Sequence, residues 1–126
     1  MEKILWLSRH AMTNEQREQL VSRRQTFSWK AREASVEIVH LNVTLPAYGY
    51  EAVRVILDLC KEHEAGVVAA VLPAHVAAAW MVRGVRTVPR QFGDDVALYL
   101  PVSIPAPAAE GETRGGGFVF SHWETY

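Results

Sequence analysis

Ser8, Arg9 and His10 bring a hydroxyl, a guanidinium and an imidazole together just ahead of Thr13 and Gln16, a pair with the spacing of a capping box. Arginine offers a planar fork of N–H donors to phosphoryl oxygens, and imidazole exchanges protons near neutral pH. The preceding Ile4-Leu5-Trp6-Leu7 suits a buried strand. Ser8 to Met12 is therefore expected to be a strand-to-helix loop. In open α/β sheets such loops lie at the carboxyl edge, where ligands bind, and a helix start attracts anions through its unpaired amides and dipole. The junction predicts a phosphate site. Arg9, His10 and Ser8 are its candidate catalytic groups, and Ala11, Met12, Thr13 and Asn14 contribute ligand-binding backbone.

The elements that would position this loop alternate. Asn14 to about Arg24 is polar and helix-prone, with Leu20 and Val21 as its clear core residues; Gln25 to Ser35 takes no assignment. Val36 to Leu45 predicts a strand closed by Pro46 and Gly49. Val53, Ile56, Leu57 and Cys60 share one face of a helix from Tyr50 to about Glu64, ended by Gly66. Val67 to Leu72 predicts a strand buried on both faces, Pro73 to Met81 a short helix stopped at Gly84, and Val85 to Val88 a fourth strand. Val96 to Val102 and Phe118 to Trp123 then predict a terminal β-hairpin, separated by a Pro- and Gly-rich loop from Pro105 to Gly117. The expected fold is α/β, one compact doubly wound domain over residues 1–126 with a mostly parallel sheet and a C-terminal hairpin. If the third strand lies beside the first and the second lies on the other flank, the loops after all three face one crevice. That arrangement adds Pro73, Ala74 and His75 to the ligand-binding candidates, with Asn42 and His40 as a further wall.

Composition narrows the functional classes. The chain has 126 residues, 49% hydrophobic and 21% charged, which predicts a globular fold without extended disorder. A net charge of -1 argues against coating long nucleic acid and leaves room for a small anion held by local arginines. The single cysteine, Cys60, excludes an internal disulfide and a multi-cysteine metal site. Glu2 and Lys3 ahead of a short apolar run predict neither a signal peptide nor a membrane span, so a cytoplasmic protein is expected.

Trp6-Leu7-Ser8-Arg9-His10, Met12-Thr13-Asn14-Glu15-Gln16, Val71-Leu72-Pro73-Ala74-His75-Val76-Ala77-Ala78 and Arg83-Gly84-Val85-Arg86 resemble small CRISPR-associated proteins of type III systems. The resemblance spans roughly the first two thirds of the chain and rests on short motifs. It implies a Rossmann-like fold related to the sensor domains that bind cyclic oligoadenylates. The implied activity is that of a ring nuclease, which opens this cyclic RNA messenger, most simply cyclic tetra-adenylate, and ends the antiviral response. Such a substrate carries its own nucleophile, the ribose 2′-hydroxyl, so neither metal nor cofactor is expected. The products would be linear adenylates with a 2′,3′-cyclic phosphate. A rotationally symmetric ligand also favours a two-fold homodimer.

Other readings use the same residues. Arg9-His10 with Thr13 also resembles the start of the histidine phosphatases, with Ser121-His122 as the second histidine, although Ala11 stands where that family has glycine. A crevice that binds a cyclic nucleotide without cutting it would make a sensor or a sponge. A structural module would use its aromatic C-terminal strand as the contact edge. Individually, Arg17, Arg23 and Arg24 read as solvated helix charge, Trp80 as core, His63 as dipole pairing at a helix end, and Phe118, Phe120 and Trp123 as packing before base stacking.

Overall fold

A computed structural model describes residues 2–27, 35–86, 96–106 and 117–126. The elements are β1 (Glu2–Leu7), α1 (Asn14–Phe27), β2 (Val36–Leu41), α2 (Gly49–His63), β3 (Val67–Ala70), α3 (Ala74–Arg86), β4 (Ala97–Pro105) and β5 (Phe118–Thr125). They build one five-stranded sheet in the order β2-β1-β3-β4-β5. The first four strands are parallel, and β5 runs antiparallel to β4. The fold is α/β with a mostly parallel sheet and a C-terminal antiparallel hairpin. No helix among the described residues is long and apolar enough to cross a membrane.

Successive residues of a strand face opposite sides of its sheet, and the two faces here carry different helices. Leu5, Leu7, Val68, Ala70 and Leu98 pack with Ala52, Val53, Ile56 and Cys60 of α2 and with Val76, Ala79 and Trp80 of α3. Their alternates Ile4, Trp6, Val67, Ala69 and Tyr99 pack with Leu20 of α1 and with Trp123. Trp80 is core, as its place on the helix predicts.

Four expectations need correction. α3 continues through Gly84 to Arg86, so Val85 is helical rather than part of a strand; residues 87 and 88 lie outside the described residues. Burial of Val76, Ala79 and Trp80 outweighs the roughly 1 kcal/mol that an internal glycine costs a helix. The fourth parallel strand is instead β4, which pairs with β3 through Ala97–Tyr99 and with β5 from Tyr99 to Pro105. The expected hairpin and the expected fourth strand thus share a single strand, and Pro101 falls where β4 has left β3 and needs no second ladder bond. Residues 107–116 of the Pro/Gly-rich segment also lie outside the described residues. Second, β2 ends at Leu41 and β3 at Ala70, short of the apolar runs that mark them. Third, α2 is closed by Glu64 in the left-handed region at φ 54°, where the Ala65 amide donates to the Cys60 carbonyl at 2.8 Å, and not by Gly66.

The fourth correction concerns α1, whose Arg23 and Arg24 are half-buried rather than solvated. Arg24 donates to Glu2 on β1, through Nε at 3.0 Å and again through Nη2, and to the Tyr99 hydroxyl at 3.3 Å. Burial pulls its pKa down, but the bonds to Glu2 and Tyr99 outweigh that and hold it above the ordinary arginine value. Arg23 donates to the Trp123 carbonyl at 2.5 Å, and Trp123 Nε1 donates to the Gln16 carbonyl at 2.9 Å. With Leu20 the one fully buried side chain among the described residues of α1, the helix is held largely by these polar ties.

Two stability outcomes follow. Glu64→Gly removes the strain of a left-handed non-glycine residue and is expected to raise stability by about 0.5–1 kcal/mol, read as a higher urea midpoint at unchanged slope. Arg24→Met leaves Glu2 without its partner and is expected to cost about 1–3 kcal/mol in the same titration.

Candidate functional site at the carboxyl edge of the sheet

Leu7 sits opposite Leu41 on one side and Ala70 on the other, so β1, β2 and β3 end level with one another. Their three outgoing loops surround a cavity of about 520 Å³. It is lined by residues 7–10, by residues 42–47, and by residues 71–73 with His75 and Val76. This is the crevice at which the strand order reverses about β1, the usual ligand position in open parallel sheets.

The floor is apolar and rigid. Leu7 and Val76 are buried, and Val43, Leu45 and Leu72 pack against the same core as α2 and α3. Above it the polar side chains divide by commitment. His40 Nε2 donates to the Ser8 carbonyl at 2.7 Å, and the Ser8 amide donates to the Leu41 carbonyl at 3.3 Å, so the β1 loop is pinned to the end of β2. His75 Nε2 donates to the Ala47 carbonyl at 2.8 Å, tying the β2 loop to α3. A carbonyl only accepts, so in each neutral imidazole the proton lies on Nε2 and Nδ1 keeps its lone pair. Ser8 Oγ accepts the His10 amide at 3.2 Å, and Trp6 Nε1 donates to the His10 carbonyl at 2.8 Å, which orients the backbone around Arg9. Among the described residues, by contrast, the side chains of Arg9, His10, Asn42 and Thr44 hold no hydrogen bond, and Arg9 and His10 are exposed.

Among the described residues the lining contains no aspartate or glutamate, so there Arg9 sets the sign of the local field. An anion entering here meets a cation that no described residue neutralises, an imidazole without a hydrogen-bond partner among the described residues, and an apolar floor. Phosphate esters of an apolar body match that set.

The structure gathers Ser8, Arg9, His10, Asn42, Pro73 and His75 around one cavity. Ala11, Met12, Thr13, Asn14 and Ala74 do not line it. Met12 packs against the α1 face of the sheet, and Ala74 opens α3. Thr13 and Gln16 form the expected capping box reciprocally, the Thr13 amide donating to Gln16 Oε1 at 2.9 Å and the Gln16 amide to Thr13 Oγ1 at 3.1 Å. The box takes up the Thr13 and Gln16 amides at the start of α1, whereas Tyr48, the N-cap of α2, makes no side-chain cap bond. The missed wall is residues 43–47. Reading β2 through Leu45 hid these residues in a strand, and Pro46 was the one signal that the chain had already turned.

Ser121 and His122 lie elsewhere. Val102 pairs with His122 and Ser103 with Phe120, so Ser121 is the extra residue of a β-bulge that sets it beside His122. His122 contacts Ser121 Oγ through Nδ1 at 2.9 Å and Glu124 through Nε2 at 2.8 Å. It lines a separate, shallower recess with Arg23 on α1, three strands from β1, and does not join His10. Trp123 is fully buried against Trp6 and Phe120, while Phe118 is exposed.

No protein-family model, curated protein or solved structure matches the chain.

Gly49 holds two walls together. A Cβ there would lie 2.7 Å from the His75 carbonyl oxygen and 3.1 Å from Ala79 Cβ, so α2 and α3 meet through a glycine because nothing larger fits. Gly49→Ala is expected to cost about 1–3 kcal/mol and to shift the amide resonances of residues 42–47 and 74–79, measurable by thermal unfolding and two-dimensional NMR.

Proposed function

We infer that the chain is a metal-independent ring nuclease that opens a cyclic oligoadenylate, most simply cyclic tetra-adenylate, and so switches off type III CRISPR antiviral signalling. The observation that carries this reading is Arg9 at the mouth of a cavity whose described lining holds no carboxylate, next to an uncommitted His10, at the point where the strand order reverses. The parallel order about β1 and the helices on both faces support a Rossmann-like assignment of the fold, and the residues shared with small CRISPR-associated proteins support the substrate. A messenger of this kind acts in the cytoplasm, where the reading locates the protein.

In this mechanism the guanidinium of Arg9 forks the non-bridging oxygens of one phosphodiester and stabilises the charge that builds there. The neighbouring ribose 2′-hydroxyl attacks phosphorus in line, its proton passing to the His10 imidazole. The P–O5′ bond breaks, the departing 5′-oxygen takes a proton from water, and the hydroxide so formed takes back the proton held by His10. One product end is a 2′,3′-cyclic phosphate and the other a 5′-hydroxyl, with no net uptake of water. Ser8 positions its neighbours, its Oγ accepting the His10 amide and its carbonyl accepting from His40. A cavity of about 520 Å³ is the size of a site for one small ligand, roughly one nucleotide. A ring of several adenylates must reach beyond it, which a second copy across a two-fold axis would accommodate.

Purified protein incubated with cyclic tri-, tetra- and hexa-adenylate in excess chelator is expected to convert one ring to linear products ending in a 2′,3′-cyclic phosphate over many turnovers. Arg9→Ala should lower the rate on the order of 10²–10³-fold, and His10→Ala on the order of 10²–10⁴-fold, with the fold intact by circular dichroism. Stoichiometric retention of an intact ring would instead identify a sensor or sponge, and a ring neither bound nor cut would end the assignment.

A further inference from the structure

We propose that Asn42 is the base-reading residue of this cavity, selecting adenine by its amino edge. The proposal rests on the reading of the cavity as a nucleotide site and adds what makes that site choose among bases. A nucleobase has two apolar faces and a polar rim. The floor at Leu45, Leu72 and Val76 suits the faces, but a rim pressed into such a cavity without partners loses its hydration uncompensated.

Few groups are free to meet that rim. His75 is committed to Ala47, and Arg9 with His10 stands at the β1 loop, where the phosphate is held. Asn42 leaves β2 one residue past Leu41, level with Ser8 across the β1–β2 ladder, so it faces the cavity from the neighbouring loop. Its carboxamide holds no hydrogen bond among the described residues and is free to take either orientation. Side by side it presents one acceptor and one donor. Adenine offers the complement on its Hoogsteen edge, the N6 amino donor beside the N7 acceptor, the pairing asparagine makes with adenine in nucleic-acid recognition. On that edge guanine and hypoxanthine carry O6 in place of N6 and put two acceptors, O6 and N7, before the same amide. Thr44, with a single rotatable hydroxyl, satisfies either base and does not discriminate.

Titration of the protein with 5′-AMP, 5′-IMP and ribose 5-phosphate, followed by NMR to millimolar ligand, tests this. The wild type is expected to bind 5′-AMP on the order of 10- to 100-fold more tightly than 5′-IMP. Asn42→Ala should bring the two to the same affinity and leave ribose 5-phosphate unchanged, and Asn42→Leu, which keeps the size but loses both donor and acceptor, should behave likewise. Arg9→Ala should weaken all three ligands together. Equal affinity of the wild type for 5′-AMP and 5′-IMP, or a preference that survives in Asn42→Ala, would overturn the role of Asn42 while leaving the nucleotide site standing. Binding of none of the three ligands would overturn both.

Discussion

β1 is an interior strand covered on both faces. It pairs with β2 along its whole length and with β3 from Ile4 to Leu7, and these four residues are buried on alternating sides. A strand held in this way cannot slide by one residue without exchanging its two apolar sets between α1 on one side and α2 with α3 on the other. Everything at the carboxyl edge inherits that register. Because Leu7 is level with Leu41 and Ala70, the three loops leave the sheet at one height and enclose one cavity instead of three separate turns.

Rigidity at that edge comes from groups that would otherwise look functional. His40 and His75 spend their Nε2 protons on backbone carbonyls of the loops beside them, and Trp6 spends its indole N–H on His10. The side chains left without partners among the described residues are those best suited to a ligand, Arg9 and His10 on one wall and Asn42 and Thr44 on the next. A site in which the supports are hydrogen-bonded and the reactive groups are not is preorganised: the ligand replaces water rather than existing protein bonds. The absence of a carboxylate from the lining among the described residues has the same effect on charge, since Arg9 need not break an ion pair with any of them to meet an anion.

The other face of the sheet is stabilised differently. Among its described side chains α1 offers one that is fully buried, Leu20, so its position depends on Arg23, Arg24 and the Trp123 indole, which reach β5, β1 and the helix backbone. The Arg23 and Trp123 ties span 100 and 107 positions and bring the C-terminal strand under the helix that follows the cavity loop. The end of the chain therefore supports the site without lining it, and Trp123 is core because its ring fills the space between Trp6 and Phe120.

The sequence by itself determined whatever depends on neighbours a few residues apart. Apolar runs and helical spacing located β1, α2 and β3, Thr13 with Gln16 announced the capping box, and the alternation of elements predicted a mostly parallel sheet, whose order with β1 between β2 and β3 entered only as a condition. Ser8, Arg9 and His10 were legible as a candidate site for the same reason, because strand end, cation, imidazole and helix start are contiguous. Only the tertiary structure decided where strands stop and which polar groups are spoken for. Val85 is helical because packing of Trp80 carries α3 onward, and residues 43–47 leave the strand because β1 offers no partner past Leu7. Arg24 is half-buried because Glu2 and Tyr99 stand opposite it, and His75 is a brace because Ala47 lies 2.8 Å away. Each of these outcomes is set by a partner distant in the chain, and a partner of that kind leaves no trace in local spacing.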